Sequence, residues 1–218
     1  MSRSAELKGT TNPVVQYVKW DSNEKKFSSY RKETKEKVTI ELPLELTFLK
    51  TSVTIKGWSD AHSCGIFSNQ VVNTQVETFV VKAGDIKIAN GLYKDIKDSV
   101  KAAGAKFTMN VYCLINGEVS VLEIKGAALM EWSEFFKRNK QKLDQNTVVI
   151  AGFNDGKKGA VKYTTPKFTT GKAIADYIKA DEAYDQVKAY LSYAPDVETE
   201  GQSYVATEGL DEPDDLPF

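Results

Sequence analysis

Short runs in which apolar and polar residues alternate, broken every few positions by turn-forming residues, recur through most of this chain and constrain it to a β-rich fold. Successive side chains of a strand point to opposite faces, so a period of two with turn punctuation marks half-buried sheet. Such runs cover residues 14–20, 25–30, 38–42, 44–49 and 53–58, with Asp21-Ser22-Asn23 as turn chemistry between the first two. Further strands are expected at 65–72, 76–82, 85–89, 106–115 and 119–125. Asn116-Gly117 joins the last pair, and Asn-Gly is the strongest short hairpin signal. Segments 147–153 and 161–168 flank an expected turn at Asn154-Asp155-Gly156.

Three stretches carry the helical period instead. Leu92, Ile96 and Val100 predict a short amphipathic helix ending near Gly104. Leu129, Trp132, Phe136 and Leu143 predict a longer one, with Lys137, Arg138, Lys140 and Lys142 in its second half. Trp132, Phe135 and Phe136 at that spacing are expected in the core. Ile174, Ile178, Tyr184, Val187 and Leu191 mark one long or two short helices before Pro195. The fold class that follows is mainly β with helical insertions (α+β), built on a small barrel over residues 1–195. Residues 196–218 lack periodicity and read as a disordered acidic tail.

Charge separates these two parts. From Asp196 to Phe218 there are eight acidic residues and no Lys or Arg. Taking those eight from the 30 acids of the chain leaves 22 against 29 bases in the body, which is therefore near +7 although the whole chain carries -1. A basic body joined to an anionic tail points to a polyanion-binding surface. No apolar run approaches the ~18 residues of a membrane span. The N-terminal Met1-Ser2-Arg3-Ser4-Ala5-Glu6 has no apolar stretch behind its charge, so no secretory signal is expected. Cys64 and Cys113 are isolated thiols in strand-like segments, for which a reduced, buried state is the default. An intracellular protein follows from these features.

Binding single strands without sequence preference takes cations that track phosphates and aromatic faces on which bases stack. Strand parity marks where both coincide. In 53–58, Val53, Ile55 and Gly57 share a face that looks like core, and Thr54, Lys56 and Trp58 share the other. In 106–113, Phe107, Met109, Val111 and Cys113 form an apolar face, opposed by Lys106, Thr108, Asn110 and Tyr112. Lys25 and Phe27 share one face of their strand and Lys26 and Tyr30 the other, with Arg31, Lys32, Lys35 and Lys37 following. Any one aromatic on a strand belongs more often to the core, and Glu33 and Glu36 make the 31–37 run look like a solvated loop. The repetition of basic-plus-aromatic faces on three strands favours a binding surface made of Trp20, Lys25, Lys26, Phe27, Tyr30, Arg31, Lys32, Lys56, Trp58, Lys106 and Tyr112.

The chain ends Asp214-Asp215-Leu216-Pro217-Phe218. This resembles the acidic tip of bacterial single-stranded-DNA-binding proteins: aspartates, an aliphatic residue, Pro and a terminal Phe. Pro217 restricts the backbone, Phe218 can fill an apolar pocket while its carboxylate meets a basic rim, and Asp214 and Asp215 add long-range attraction. Val18-Lys19-Trp20-Asp21-Ser22 and Gly65-Ile66-Phe67-Ser68-Asn69 resemble stretches of the divergent phage members of that group. The resemblance implies an OB-like body, coating of single-stranded DNA in replication and recombination, recruitment of replication and recombination proteins through the tip, and the cytoplasm of a bacterial host cell. It carries over no groove residue.

Catalytic patterns are wanting. His62 is the only histidine; with Cys64 and Cys113 it makes three ligands at most, without a C-x-x-C pair, so no metal site is expected. Gly156-Lys157-Lys158-Gly159 and Thr170-Gly171-Lys172-Ala173 do not fit the phosphate-loop spacing. No cofactor and no enzymatic activity are expected. Two rivals remain open at this point: an acidic-tailed protein-interaction adaptor that does not bind DNA, and a metal-dependent nuclease built from dispersed carboxylates.

Overall fold

In the computed structural model, which describes residues 11–193, eleven strands and three helices follow one another. The strands are β1 (Gln16–Asp21), β2 (Lys26–Arg31), β3 (Lys37–Ile40), β4 (Leu44–Ser59), β5 (Cys64–Ser68), β6 (Phe79–Ala83), β7 (Ile86–Gly91), β8 (Ala105–Ile115), β9 (Glu118–Lys125), β10 (Asn146–Lys158) and β11 (Val161–Ala173). The helices are α1 (Tyr93–Ala102), α2 (Ala127–Asn139), extended by a 3-10 turn at Lys140–Lys142, and α3 (Tyr177–Ser192). The protein is mainly β with a few helices on an open mixed sheet. Among the described residues no helix is long and apolar enough to cross a membrane. The acidic tail and its tip, Asp214, Asp215, Leu216, Pro217 and Phe218, lie outside the described residues.

The chain gathers into two compact units. Among the described residues, one is built on Ser52–Thr108 and takes in residues 185–193; the other is built on Val14–Thr51 and Met109–Tyr184. In the first, the end of β4 and then β5, β6 and β7 form an antiparallel meander. One face of that meander is core. Val53 and Ile55 of β4, Ile66 of β5, Phe79, Val81 and Ala83 of β6, and Val71 pack there with Ile96 and Val100 of α1 and with Ala105 of β8. Ile96 and Val100 are four residues apart, the spacing that puts both on one helical stripe. Closest approach in this unit falls at glycines. A Cβ on Gly57 would collide with the Gly104 carbonyl oxygen and lie 2.5 Å from the Ala105 Cα; Gly104 itself stands at φ +87° with the Trp58 carbonyl beside it.

In the second unit the strand order runs β3-β2-β1-β9-β8, with β1 antiparallel to β2 and parallel to β9. A buried polar chain ties three of these strands: Ser29 Oγ donates to Gln16 Oε1 at 2.7 Å and Gln16 Nε2 donates to Ser120 Oγ at 3.0 Å. The hairpin between β8 and β9 turns at Asn116 and Gly117, both at positive φ, as the Asn-Gly signal predicts. β10 and β11 pair along their length, and β10 also pairs with the start of β4, Val148 opposite Leu46 and Ile150 opposite Leu44. An aromatic cluster made of Phe48, Trp132, Phe135, Phe136 and Phe168 seats α2 on β11. Trp132 and Phe135 are buried, as expected for core, and Phe136 is half-buried.

Three expectations about elements are corrected. The runs 44–49 and 53–58 are one strand, β4, with no break between them. No turn occurs at Asn154-Asp155-Gly156: β10 runs through it to Lys158, and the chain reverses at Gly159 and Ala160. In α3 the buried positions are Ala180, Ala183 and Val187, while Ile178 and Tyr184 are exposed. Small side chains at the i, i+3, i+7 spacing let that helix pack closely, with Ile178 and Tyr184 outside the stripe and Leu191 half-buried on it.

Candidate nucleic-acid interface

The face of the β4–β7 meander opposite its core carries the residues that alternation singled out. Ile55 is buried, Lys56 is half-buried and Trp58 is 38% exposed. Residues directly opposite on antiparallel strands lie on the same side of a sheet. Lys56 is opposite Phe67 on β5, Phe67 is opposite Lys82 on β6, and Lys82 is opposite Lys87 on β7. One row across four strands therefore reads Lys56, Phe67, Lys82, Lys87, at the ~4.8 Å strand spacing of a sheet. Trp58 is opposite Gly65, and the Phe67 ring folds back over that glycine so closely that a Cβ there would be 2.6 Å from it. Because Gly65 has no side chain, the aromatic patch lies flat on the sheet beside Trp58. Lys106 follows the buried Ala105 on β8, and alternation puts it on this same outward side, half-buried.

Sequence reasoning found Lys56, Trp58 and Lys106 here and missed Phe67, Lys82 and Lys87. The signal was available: Phe79, Val81 and Ala83 alternate as core, which sends Val80 and Lys82 outward, and Ile66 and Ser68 do the same for Phe67.

The candidates on β1 and β2 are differently placed. Phe27 is fully buried, with its ring edge-to-face against Trp20 at 4.9 Å, and is core rather than a stacking platform. Tyr112 is corrected in the same way. Residues 110–115 of β8 are buried whichever way they point, because both faces of this strand are covered, so Tyr112 has no exposed ring to offer. Trp20 is half-buried, and its Nε1–H donates to the Thr164 carbonyl at 3.0 Å. Tyr30 is half-buried between Tyr17 and Lys37 on the flanking strands. Carboxylates hold several of the cations: Arg31 meets Glu118 at 2.7 Å and Lys26 meets Glu24 at 3.0 Å. Lys32 is half-buried, its backbone N–H donating to Val15 O at 3.1 Å. Lys25 stands 4.8 Å over the Phe153 ring and 3.7 Å from Asp155. The structure thus brings together Lys56, Trp58 and Lys106 in one unit and Trp20 and Lys25 in the other.

Both thiols are free: Cys64 is half-buried and Cys113 is buried, its Sγ–H pointing to the Ser120 carbonyl at 3.6 Å. Burial pushes the Cys113 thiol up to about 12, only partly offset by a backbone hydrogen bond at Leu122. A thiol in that state is inert as nucleophile or ligand. Among the described residues no three His, Cys, Asp or Glu side chains group closely enough to hold a metal ion. No family model, no curated protein and no solved structure matches the chain.

Proposed function

We propose that this protein binds single-stranded DNA and holds it on the outward face of the β4–β7 meander. The observation that carries this reading is the row Lys56–Phe67–Lys82–Lys87 beside Trp58 and Lys106: cations and aromatic rings interleaved on a sheet face whose reverse is core. A single strand offers phosphates along one side and base faces along the other, and this face has a partner for each. Lysine ammoniums act as point charges for phosphates, and Trp58 and Phe67 offer π-faces that accept any base. The role is non-enzymatic and needs no cofactor. The proposal includes an OB-like body, supported by an antiparallel meander with core and a helix on one side and Lys56, Trp58, Lys82 and Lys87 on the other. The resemblance of the last five residues to the acidic tip of bacterial and phage single-stranded-DNA-binding proteins supports a second role, recruitment of replication and recombination proteins in a bacterial cytoplasm.

Titration of intrinsic tryptophan fluorescence with an oligothymidylate at two salt concentrations tests the reading. Quenching is expected, with a log–log salt slope of about -0.7 per phosphate contacted. Absence of quenching and of any salt-dependent binding would leave the adaptor as the better reading, and cleavage of the strand on adding magnesium would establish the nuclease.

A further inference from the structure

The tip of the β10–β11 hairpin carries a charge arrangement that folding alone does not favour. Lys157 on β10 is directly opposite Lys162 on β11, and Lys158 follows on the way to the turn at Gly159, which stands at φ +60°. Like charges directly opposite on a ladder destabilise it. Neither Lys157 nor Lys162 has a carboxylate at ion-pair distance among the described residues. Both are exposed, and a Cβ built on Gly159 would meet nothing within 4 Å.

The hairpin is nevertheless held firmly below its tip. Ser22 Oγ accepts from the Thr164 backbone N–H at 2.7 Å, Thr164 Oγ1 donates to the Ser22 carbonyl at 2.7 Å, and Trp20 Nε1–H donates to the Thr164 carbonyl. The Tyr163 ring presses on Gly156, where no side chain would fit. The same clamp sets Lys25 over Phe153 on the hairpin face that also bears Asp155, Lys157 and Lys162. On that face three ammoniums stand against one carboxylate, beside an aromatic ring that is 37% exposed. A rigid base beneath a self-repelling cationic tip is the arrangement expected where the missing anion comes from outside the chain.

We propose that this hairpin is a phosphate-binding arm for single-stranded DNA, with Lys157 and Lys162 as its paired contacts and Lys25 as a third. The inference rests on the single-strand-binding reading and adds an element to it; the arm belongs to the unit that does not contain the β4–β7 face. Phosphodiesters suit it because they place anions at intervals along an extended ligand, and the Lys157–Lys162 pair and Lys25 stand at two positions along the hairpin.

The test compares the full chain with Lys157→Thr/Lys162→Thr and with Lys157→Arg/Lys162→Arg, each titrated with an oligothymidylate over a range of salt and each melted without DNA. Threonine suits a strand and pairs well across it, so the hairpin keeps its geometry. The Thr pair should flatten the log–log salt slope by about 1.4, two phosphates at about 0.7 each, while its melting temperature holds or rises. The Arg pair should keep the parent slope. A Thr pair with the parent slope and a melting temperature at or above the parent's overturns the arm and leaves the β4–β7 reading standing. A parent chain with no salt-dependent binding overturns both. If the Thr pair melts early, Lys162→Gln alone, which relieves the same repulsion with one change, must still flatten the slope by about 0.7; an unchanged slope there also overturns the arm.

Discussion

Two tryptophans that look alike in sequence have opposite roles in the structure. Trp58 is 38% exposed on the candidate face and opposes a glycine rather than a packed side chain. Trp58→Ala should weaken oligothymidylate binding by about 1–3 kcal/mol, the range for a lost base-stacking ring, with the melting temperature nearly unchanged. Trp20 packs edge-to-face on buried Phe27 and spends its N–H on the Thr164 carbonyl. Trp20→Ala should instead destabilise the fold by about 2–4 kcal/mol, through lost packing and an orphaned carbonyl. Chemical denaturation of both variants beside DNA titration separates the roles; a Trp58 variant that unfolds early while its folded fraction binds normally would remove that ring from the interface. Cys113 gives a pH signature. Its thiol titrates near 9.0 when free of the fold and near 12 inside it, because the buried site excludes the thiolate. Folding therefore favours the neutral form. The stabilisation is complete below pH ~9 and is lost as pH rises toward 12, by about 1.4 kcal/mol per unit over that window. Cys113→Ala should show a shallower decline than the parent when denaturation midpoints are compared at pH 8 and pH 10.5, and parallel declines would mean that the thiol ionises without unfolding.

At the scale of elements, the contact between the end of β4 and the start of β8 depends on having no side chain at Gly57. Gly57→Ala would push a methyl group into backbone, which cannot move aside as a flexible side chain would. A loss of about 1–3 kcal/mol in denaturation is expected, against a near-neutral Gly152→Ala, where a Cβ would meet nothing within 4 Å. Equal effects at the two sites would show that β4 and β8 are not so closely apposed. The elements themselves were largely legible. Alternation located β1, β2, β8 and β9, and Asn116-Gly117 located a turn, because these depend on local chemistry. The strong turn signal at Asn154-Asp155-Gly156 misled because it is overruled from 142 residues away, where Ser22 grips Thr164 and keeps the hairpin extended. For the candidate interface, alternation told which residues share a face but not which face is covered. It placed Lys56 with Trp58 correctly and Tyr112 with Lys106 misleadingly, since nothing in a single strand records that β8 is covered on both sides at Tyr112.

For the whole molecule, the proposed binding body near +7 and the tail near -8 are parts of one chain, so an anion is always tethered near the cations. Deleting residues 196–218 should tighten oligothymidylate binding, most at low salt, because a tethered competitor acts at high effective concentration. Phe218→Ala should leave that affinity nearly unchanged and abolish capture of a replication or recombination protein. Weaker DNA binding after truncation would make the tail part of the grip, and intact capture by the Phe218 variant would make the terminal resemblance superficial. The division into units bears on how the chain is made. Ser52–Thr108 interrupts the sequence of the other unit, whose two main segments lie before and after it. The buried residues of the core behind the β4–β7 face fall between Val53 and Ala105, with Phe107 packed against them. As a nascent chain emerges, that core has all its side chains before Met109 is added, whereas the other unit waits for β8 to β11. During synthesis, the core behind the proposed strand-holding face is complete in sequence while the other unit, although β1, β2 and β3 can already pair with one another, still lacks β9 to β11.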